Sequence, residues 1–338
     1  METDQSEHLR RQVREAIKTG ARLCITGGGS KSFYGRVPAG EPFYTAGHNG
    51  IVKYEPTELV LTARAGTTLQ EVEQTLDERG QILPFEPPHF NSSATLGGAI
   101  ATGLAGPARP YRGSARDFML GIKCLTGHGE ILKFGGEVMK NVAGFDASRL
   151  MAGAMGTLGI LLEVTLKVLP KPAGELTLVY DCHLQDALMN INQWAGRALP
   201  ISAAVYDGRK LYLRLSGTQV GIDSARRQLG GEIYSDGEQF WRNIREHQHE
   251  FFRADKPLWR ISVPAATPPL KIDGQWLIDW GGAQRWLKTD LAMDKVRDSV
   301  ATAGGHATLF RGGDRDGNIF QSLPASLFTL HRNLKAAF

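Results

Sequence analysis

The sequence predicts an α+β protein in two parts, with a large ligand lying against the main chain of the first. Three observations predict this. Strand-like and helix-like segments alternate through the first half, and strand–helix–strand passages return after it, as in α/β or α+β folds with a sheet covered by helices. The 40 glycines are unevenly spread: most precede Gly174, and 14 fall between Asn91 and Ile160. Beyond the P-K-P-A-G run at 170–174 glycine density falls and the pattern resets. Glycine marks special backbone angles or close approach of main chain to something else. The glycine-rich stretch also carries Ile, Leu, Val and Met runs that a disordered linker lacks. At 338 residues the chain exceeds the size at which single cores stop growing, so two domains are expected, 1–172 and 175–338.

Each element follows from its own pattern. Leu9, Val13, Ala16 and Ile17 recur at helical spacing over residues 7–19. A-R-L-C-I-T then reads as a strand running into Gly27. E-P-T-E-L-V-L-T-A-R-A-G-T-T-L-Q-E-V-E-Q-T-L-D-E-R-G reads as strand, turn and helix; Thr68 to Glu71 is a capping box, and Leu69, Val72 and Leu76 form one apolar face. From Pro84 to Asp117 turn signals dominate. F-M-L-G-I-K-C-L-T-G-H-G-E-I-L-K-F is a pair of strands around Gly127–Gly129, and G-I-L-L-E-V-T-L-K-V-L-P-K-P is a strand ended by prolines. The second part offers strands at 175–182, 201–206 and 210–216, a helix at 184–197 and one from Asp223. A polar helix with Trp241 and Phe251 and a helix over 284–303 follow. A small antiparallel sheet with helices on one side accounts for these. H-R-N-L-K-A-A-F reads as a helix without a cap signal, as in a chain cut short of its natural end.

The bulk numbers exclude several classes. A net charge of +4 with no basic run interleaved with aromatics is no nucleic-acid footprint. Cys24, Cys124 and Cys182 are far apart and odd in number, which predicts no disulfide framework and a reducing, cytoplasmic setting. No stretch of 18 or more apolar residues appears, so membrane attachment is expected only peripherally, at the inner face through partners.

The glycine clusters carry the chemistry. The strand Leu23–Thr26 delivers Gly27, Gly28 and Gly29, whose successive N–H groups can form a nest for anionic oxygens. Ser30 and Ser32 add hydroxyls and Lys31 a charge. A pyrophosphate is the natural occupant, and a simple tight turn is the equally weighted alternative. Neither the Walker A nor the Rossmann spacing is present. In N-S-S-A-T-L-G-G-A-I-A-T-G, Ser92, Ser93 and Thr95 precede Gly97 and Gly98, and a helix start there points free N–H groups at phosphate or sugar oxygens. Arg109, Tyr111, Arg112, Gly113, Ser114, Arg116 and Asp117 follow.

The pieces GGGSKSFYG, ATLGGAIATG, YRGSARDFMLGIKCLTGHGEIL, KNVAGFD and GTLGI occur in this order. As a set they resemble the FAD-binding domain of the vanillyl-alcohol oxidase / p-cresol methylhydroxylase (PCMH) class, which includes many 2-hydroxy-acid oxidoreductases. Within it the chain is similar to flavoprotein subunits of bacterial glycolate dehydrogenases, and GQWLIDWGGAQRWL and GGHATLFRGGDR carry that likeness into the second half. The resemblance implies a two-lobed PCMH-type FAD-binding domain followed by a smaller α+β cap with an antiparallel sheet. It implies FAD with Gly27, Gly28, Gly29, Ser30, Lys31 and Ser32 at the pyrophosphate, and Ser92, Ser93, Thr95, Gly97 and Gly98 along the phosphates and ribityl chain. Gly103, Ser114 and Asp117 lie near the ring or ribityl hydroxyls, and Gly156, Thr157, Gly159 and Ile160 near the adenine half. The first loop has no histidine, so the FAD is expected to be non-covalent; nothing marks His48 or His89 as a linkage. The implied partners are a homologous catalytic flavoprotein subunit and an iron–sulfur subunit, since three cysteines cannot hold a ferredoxin-like cluster.

No equally strong cluster marks the substrate chemistry. A 2-hydroxy-acid oxidoreductase needs a cation for the carboxylate and a base for the hydroxyl proton. Arg260, Arg285 and Arg311 are the candidate cations and His306 the lone candidate base, each set against a structural reading. His247 and His249 read as residues of a helix polar face rather than metal ligands, and no metal motif is present. Trp259, Trp276, Trp280 and Trp286 are either core or a partner interface. Three readings result: an FAD-binding subunit of a multisubunit glycolate dehydrogenase, accessory in role; a self-sufficient 2-hydroxy-acid (D-lactate-like) dehydrogenase; and a scaffold with an empty nucleotide site.

Overall fold

The computed structural model describes residues 4–136, 147–253 and 255–338. The opening helix, Ser6–Thr19, buries Leu9, Val13 and Ala16 and stops at Gly20 in a left-handed cap (φ 69°). Strands β1 (Leu23–Thr26) and β2 (Glu41–Tyr44) pair in parallel. Strands β3 (Ile51–Glu55) and β4 (Val60–Arg64) open the first large sheet. Thr68 caps the helix Leu69–Asp77 by accepting from Glu71 N, as expected. Strand β5 (Gln81–Ile82) is short, and a helix over Leu96–Thr102 follows it. Strands β6 (Met119–Leu125), β7 (Ile131–Gly135) and β8 (Ile160–Lys167) complete a five-stranded antiparallel sheet in the order β3-β4-β8-β6-β7. Its core is built of Leu61, Leu69, Leu76, Leu96, Ile100 and Leu166 among others, all fully buried.

The short β9 (Leu169–Pro170) pairs with β5 just before the chain enters the second unit. There β10 (Gly174–Asp181), β11 (Ile201–Tyr206), β12 (Lys210–Gly217) and β13 (Glu232–Ile233) join β14 (Leu258–Ser262), β15 (Gln275–Asp279), β16 (Gln284–Lys288) and β17 (His306–Arg311). The result is one eight-stranded antiparallel sheet in the order β13-β10-β12-β11-β15-β16-β14-β17. This second sheet is larger than expected, because five of its strands lie in the final third.

One of them corrects the expected helix over 284–303: Gln284–Lys288 is a strand, and the helix begins only at Met293. All five residues of that strand are buried, so its polar side chains face partners rather than water. The helix expected from Asp223 begins at Gln219 under a Thr218 cap. Trp241 lies in the helix Gly237–Arg245, whereas Phe251 lies in a separate short 3-10 turn. The last helix, Ala325–Ala337, leaves the second sheet and docks on the first unit, where Gly127 N donates to Phe338 O (2.7 Å).

Candidate functional site: the paired glycine loops and the cleft between the units

Strand β1 ends at Thr26, and the chain turns at Gly27–Gly29. Ser32 N donates to Gly29 O (3.2 Å), with Gly29 left-handed at φ 68°. Among the described residues, the main-chain N–H groups of Gly27, Gly28, Gly29, Ser30 and Lys31 have no hydrogen-bond partner. Gly29 is exposed and Gly27, Gly28 and Ser30 are half-buried, so these donors can be met by water or by an external acceptor such as a diphosphate. Lys31 is buried, with Nζ 3.1 Å from Ser30 Oγ and 3.5 Å from His89 O. Burial pushes it down to about 8, against the opposing pull of Glu246. Ser32 is exposed, and its carbonyl accepts from Arg315 Nη2 (2.7 Å).

The second loop meets the first. A Cβ on Gly28 would lie 1.4 Å from Ser93 O, and one on Gly27 2.5 Å from Thr95 Oγ1. The Ser93 hydroxyl reaches Gly28 O and Asn91 Oδ1, while Ser92 is exposed beside it. The helix start differs from expectation. Leu96 N donates to Thr67 O, Gly97 N to Ala65 O and Gly98 N to the Thr95 cap (2.8, 2.8 and 3.2 Å). These donors are spent inside the protein, so free N–H groups come from the first loop and not from this helix. Gly97 instead allows the helix to press on Ala65, whose Cβ would stand 2.7 Å from a Cβ there.

A third segment closes in from the other side. Gly103 caps the same helix at φ 61°, and a Cβ on it would meet Gly153 Cα at 3.1 Å. Gly153 N and Met155 N donate to Ile100 O and Ala101 O. Gly156 sits against Ile25 at the end of β1. Thr157 is exposed and donates to Ala154 O, and Gly159 packs under Leu125 O. The Ile160 side chain is buried with Leu9, Val13, Phe43 and Leu125, so only its main chain is near the loop. Ser114 and Asp117 are occupied with each other, since Ser114 N and Oγ both lie 2.8 Å from Asp117 Oδ2. The Ser114 N–H holds that carboxyl below the usual range. The KNVAGFD piece, 140–146, lies outside the described residues.

In the second unit the expected candidates separate. Arg285 is 1% exposed and donates to Gly282 O, Pro268 O and Thr267 O, a structural role. His306 is exposed at the start of β17 and Arg311 ends the same strand, so the two are roughly 17 Å apart by strand rise and do not share a site. Arg311 lies over the Phe33 ring of the first unit (4.3 Å). His247 is not on a polar face. Its ring stacks on Phe252 (3.9 Å, 3°) and meets Trp286, Phe310 and, from the first unit, Phe90. Burial pushes its pKa well below the usual imidazole value, and Arg311 and Arg260 add to this. His249 caps the next turn by accepting from Phe251 N. Trp259, Trp280 and Trp286 are buried and Trp276 half-buried, so the group is core rather than a partner surface.

The cleft between the units joins the expected candidate Arg260, and Arg109 and Trp280, to Asp279, Glu86 and Glu246, which sequence reasoning missed. Asp279 is buried, accepts from Trp280 N (2.7 Å) and Gln284 Nε2 (3.3 Å), and is pushed up to about 7 by that burial. Trp280 has φ 50° and donates its indole N–H to Gly106 O. Arg109 and Arg260 lie over its ring at 4.2 and 5.0 Å. Glu86 pairs with Arg214 (2.6 Å) and Glu246 with Arg245 (2.7 Å), and Glu246 also accepts from His89 N and Phe90 N. Among the described residues no group of three or more His, Cys, Asp or Glu is placed to hold a metal ion, and no helix is long and apolar enough to cross a membrane.

Residues 2–135 match the FAD binding domain family. The chain is 48% identical over 334 residues to the glycolate oxidase subunit GlcE of Escherichia coli, covering 99% of this chain and 94% of that protein. It is 32% identical over 184 residues to the glycolate oxidase subunit GlcD of Bacillus subtilis and 30% over 218 residues to a D-lactate dehydrogenase of Anaerostipes hadrus, spanning only 39% and 44% of their lengths. Among solved structures, p-cresol methylhydroxylase superposes with a TM-score of 0.75 at 14% identity over 99% of this chain and 85% of that one. Fold and loops together define a flavoprotein with a PCMH-type FAD-binding domain. The chain belongs to the family of FAD-binding, GlcE-type glycolate oxidase subunits. It binds FAD non-covalently; the first loop has no histidine, and His48 is fully buried, accepting from Gln5 N.

Proposed function

We propose that this chain is the FAD-binding subunit of a multisubunit glycolate dehydrogenase that oxidises glycolate to glyoxylate and delivers electrons to iron–sulfur centres of a partner subunit, beside a homologous catalytic flavoprotein subunit. Bound FAD supplies the two-electron redox chemistry. The chain's own residues hold and orient it. Gly27–Ser32 take the pyrophosphate, and Ser92, Ser93, Thr95, Gly97 and Gly98 line the path that follows. Gly103, Ser114 and Asp117 flank the ring side, and Gly156, Thr157, Gly159 and the main chain of Ile160 flank the adenine side. In this reading residues 1–172 are the FAD-binding domain and 175–338 the cap, and any association with the inner membrane face is peripheral and through partners.

The observation that carries the reading is the run of five N–H groups from Gly27 to Lys31 that have no partner among the described residues. The similarity to GlcE over 99% of the chain supports the complex. The test is to purify the chain, denature it and assay the supernatant for FAD. A protein that is colourless and cannot be reconstituted with FAD overturns the proposal. Co-purification with an iron–sulfur subunit tests the complex separately.

A further inference from the structure

The first loop is held from outside its own unit. After the turn at Gly29–Ser32, Tyr34 N donates to Lys31 O (3.0 Å), so a second turn follows and shares Lys31 and Ser32 with the first. Two carbonyls at the end of this double turn accept from one side chain of the second unit. Arg315 Nη2 donates to Ser32 O (2.7 Å) and Arg315 Nε to Gly35 O (3.0 Å). A planar guanidinium fixes both carbonyls at once, and its charge makes such bonds stronger than neutral ones. Aromatic packing adds to the grip. The Tyr34 ring lies 5.0 Å from Phe310 and 6.1 Å from Phe320, and Arg311 stands over Phe33 (4.3 Å). A Cβ on Gly35 (φ 90°) would lie 2.8 Å from Met155 Cε and 3.8 Å from Phe320 Cζ. The first loop, the third glycine segment and the second unit meet at that point.

The segment that carries Arg315 is itself anchored. It leaves β17 after Arg311 and doubles back along that strand: Leu309 N donates to Ile319 O (3.1 Å) and Ala307 N to Gln321 Oε1 (3.0 Å). Strand β17 is the last in the order of its sheet, and this segment covers its outer edge. From the other side Arg297, on the helix Met293–Thr302, donates to Asn318 O and to Ile319 O (3.0 Å). A continuous path of main chain and hydrogen bonds thus runs from a helix of the second unit through Arg297 and Arg315 to Ser32 O. Ser32 N in turn closes the glycine turn on Gly29 O. The second loop has a similar tie. Glu246 Oε2 accepts from His89 N (3.0 Å) and Phe90 N (2.8 Å), directly before Asn91.

We propose that Arg315 is a positioning residue for the FAD of the first unit. From the second unit it holds the Ser32–Gly35 end of the first loop, and so keeps Gly27–Ser32 in the shape that receives the pyrophosphate. Cofactor binding and seating of the 311–320 segment are then one coupled equilibrium. A seated segment raises FAD affinity, and bound FAD favours the seated segment by the same factor. Arg315 acts through the loop and not on the cofactor. This rests on the FAD reading above and extends it: residues 1–172 supply the loop, and residues 311–320 set its shape.

The test uses the full chain, stripped of FAD and titrated with it by flavin fluorescence. Amide hydrogen exchange is followed by mass spectrometry with and without FAD, and the melting temperature of each form is read alongside. In the wild type FAD slows exchange in 305–321 as well as in 23–36. Arg315→Met weakens FAD by about tenfold, the loss expected for charge-assisted hydrogen bonds, and FAD no longer slows exchange in 305–321. Arg315→Lys keeps the charge without the fork and recovers part of both effects; it carries the same comparison if the Met variant does not fold. A merely structural Arg315 lowers the melting temperature with and without FAD alike and leaves the FAD affinity of the folded chain unchanged. That outcome overturns the proposal, as does FAD protection confined to the first unit, and both leave the FAD reading intact. A wild type that takes up no FAD overturns the FAD reading, and this proposal with it.

Discussion

The first unit's glycine loops and the second unit's arginine cleft present polar groups by opposite means. The first loop presents main-chain N–H groups of five consecutive residues, Gly27 to Lys31. The cleft presents side chains from Phe90, His247, Arg260 and Asp279, which are distant in sequence. A main-chain site is fixed by local backbone shape, so it tolerates little change at the glycines and much change around them. A side-chain site is fixed by packing across the interface, so its members fail one at a time. The difference can be tested residue by residue.

The largest effect is expected at Gly28. A single methyl group would lie 1.4 Å from Ser93 O, a backbone atom that cannot swing aside. Gly28→Ala therefore has to push the two loops apart, and we expect FAD affinity to fall by at least about 100-fold, several kcal/mol, with the fold retained. Released FAD fluorescence measures it. Near wild-type retention would mean that contact between these loops is not what shapes the nest.

The cleft is next, and pH separates it from the nest. Burial pushes Asp279 up to about 7, whereas an unfolded aspartate titrates near about 4. The native state thus keeps a proton that the unfolded chain gives up. This stabilisation is complete below about pH 4, declines as pH rises toward 7, and is lost above it. Asp279→Asn removes that titration. The wild-type advantage over the variant should shrink by on the order of a few kcal/mol between pH 4 and 8, read from chemical denaturation at each pH. A constant difference would show that Asp279 does not hold the proton.

Lys31 lies where nest and cleft approach each other, since its Nζ reaches both Ser30 Oγ and His89 O. Burial holds it down at about 8, so it loses its charge on mildly alkaline titration. If the ammonium supports a diphosphate, FAD affinity falls as pH rises past 8, by up to about tenfold per pH unit. Lys31→Gln should bind about tenfold more weakly at pH 7 and show no such slope. Equal slopes in the two proteins would place Lys31 outside the cofactor's field.

The same contrast explains what could be read from the sequence. The Thr68 cap, the helix faces and the glycine turns are local, so residue order reveals them; Thr68 does accept from Glu71 N. The strand Gln284–Lys288 was misread as helix because Gln284, Arg285 and Lys288 look like a polar face. Each is buried against a partner far away in sequence: Arg260, the Thr267–Pro268 carbonyls and Asp255. His247 was misread for the same reason, since Phe90 and Phe310 make its environment. Trp280 stands out in the sequence only as one of four tryptophans within 259–286, and nothing in residue order shows that Arg109 and Arg260 lie over its ring. Charge chemistry that depends on long-range packing leaves no periodic trace.

Ile160 gives the smallest effect and the sharpest separation within the glycine region itself. It follows Gly159 directly, and its main chain continues β8 opposite Leu125. Its side chain, 5% exposed, packs with Leu9, Val13 and Phe43. If the loop contributes through backbone alone, Ile160→Val should cost about 1 kcal/mol of stability, the usual loss of one buried methylene, and leave FAD affinity unchanged. Denaturant titration gives the first quantity and equilibrium FAD binding the second. A loss of FAD affinity matching the loss of stability would mean that the cofactor reads the packing of this small core, and the division between main-chain and side-chain sites would not hold at its boundary.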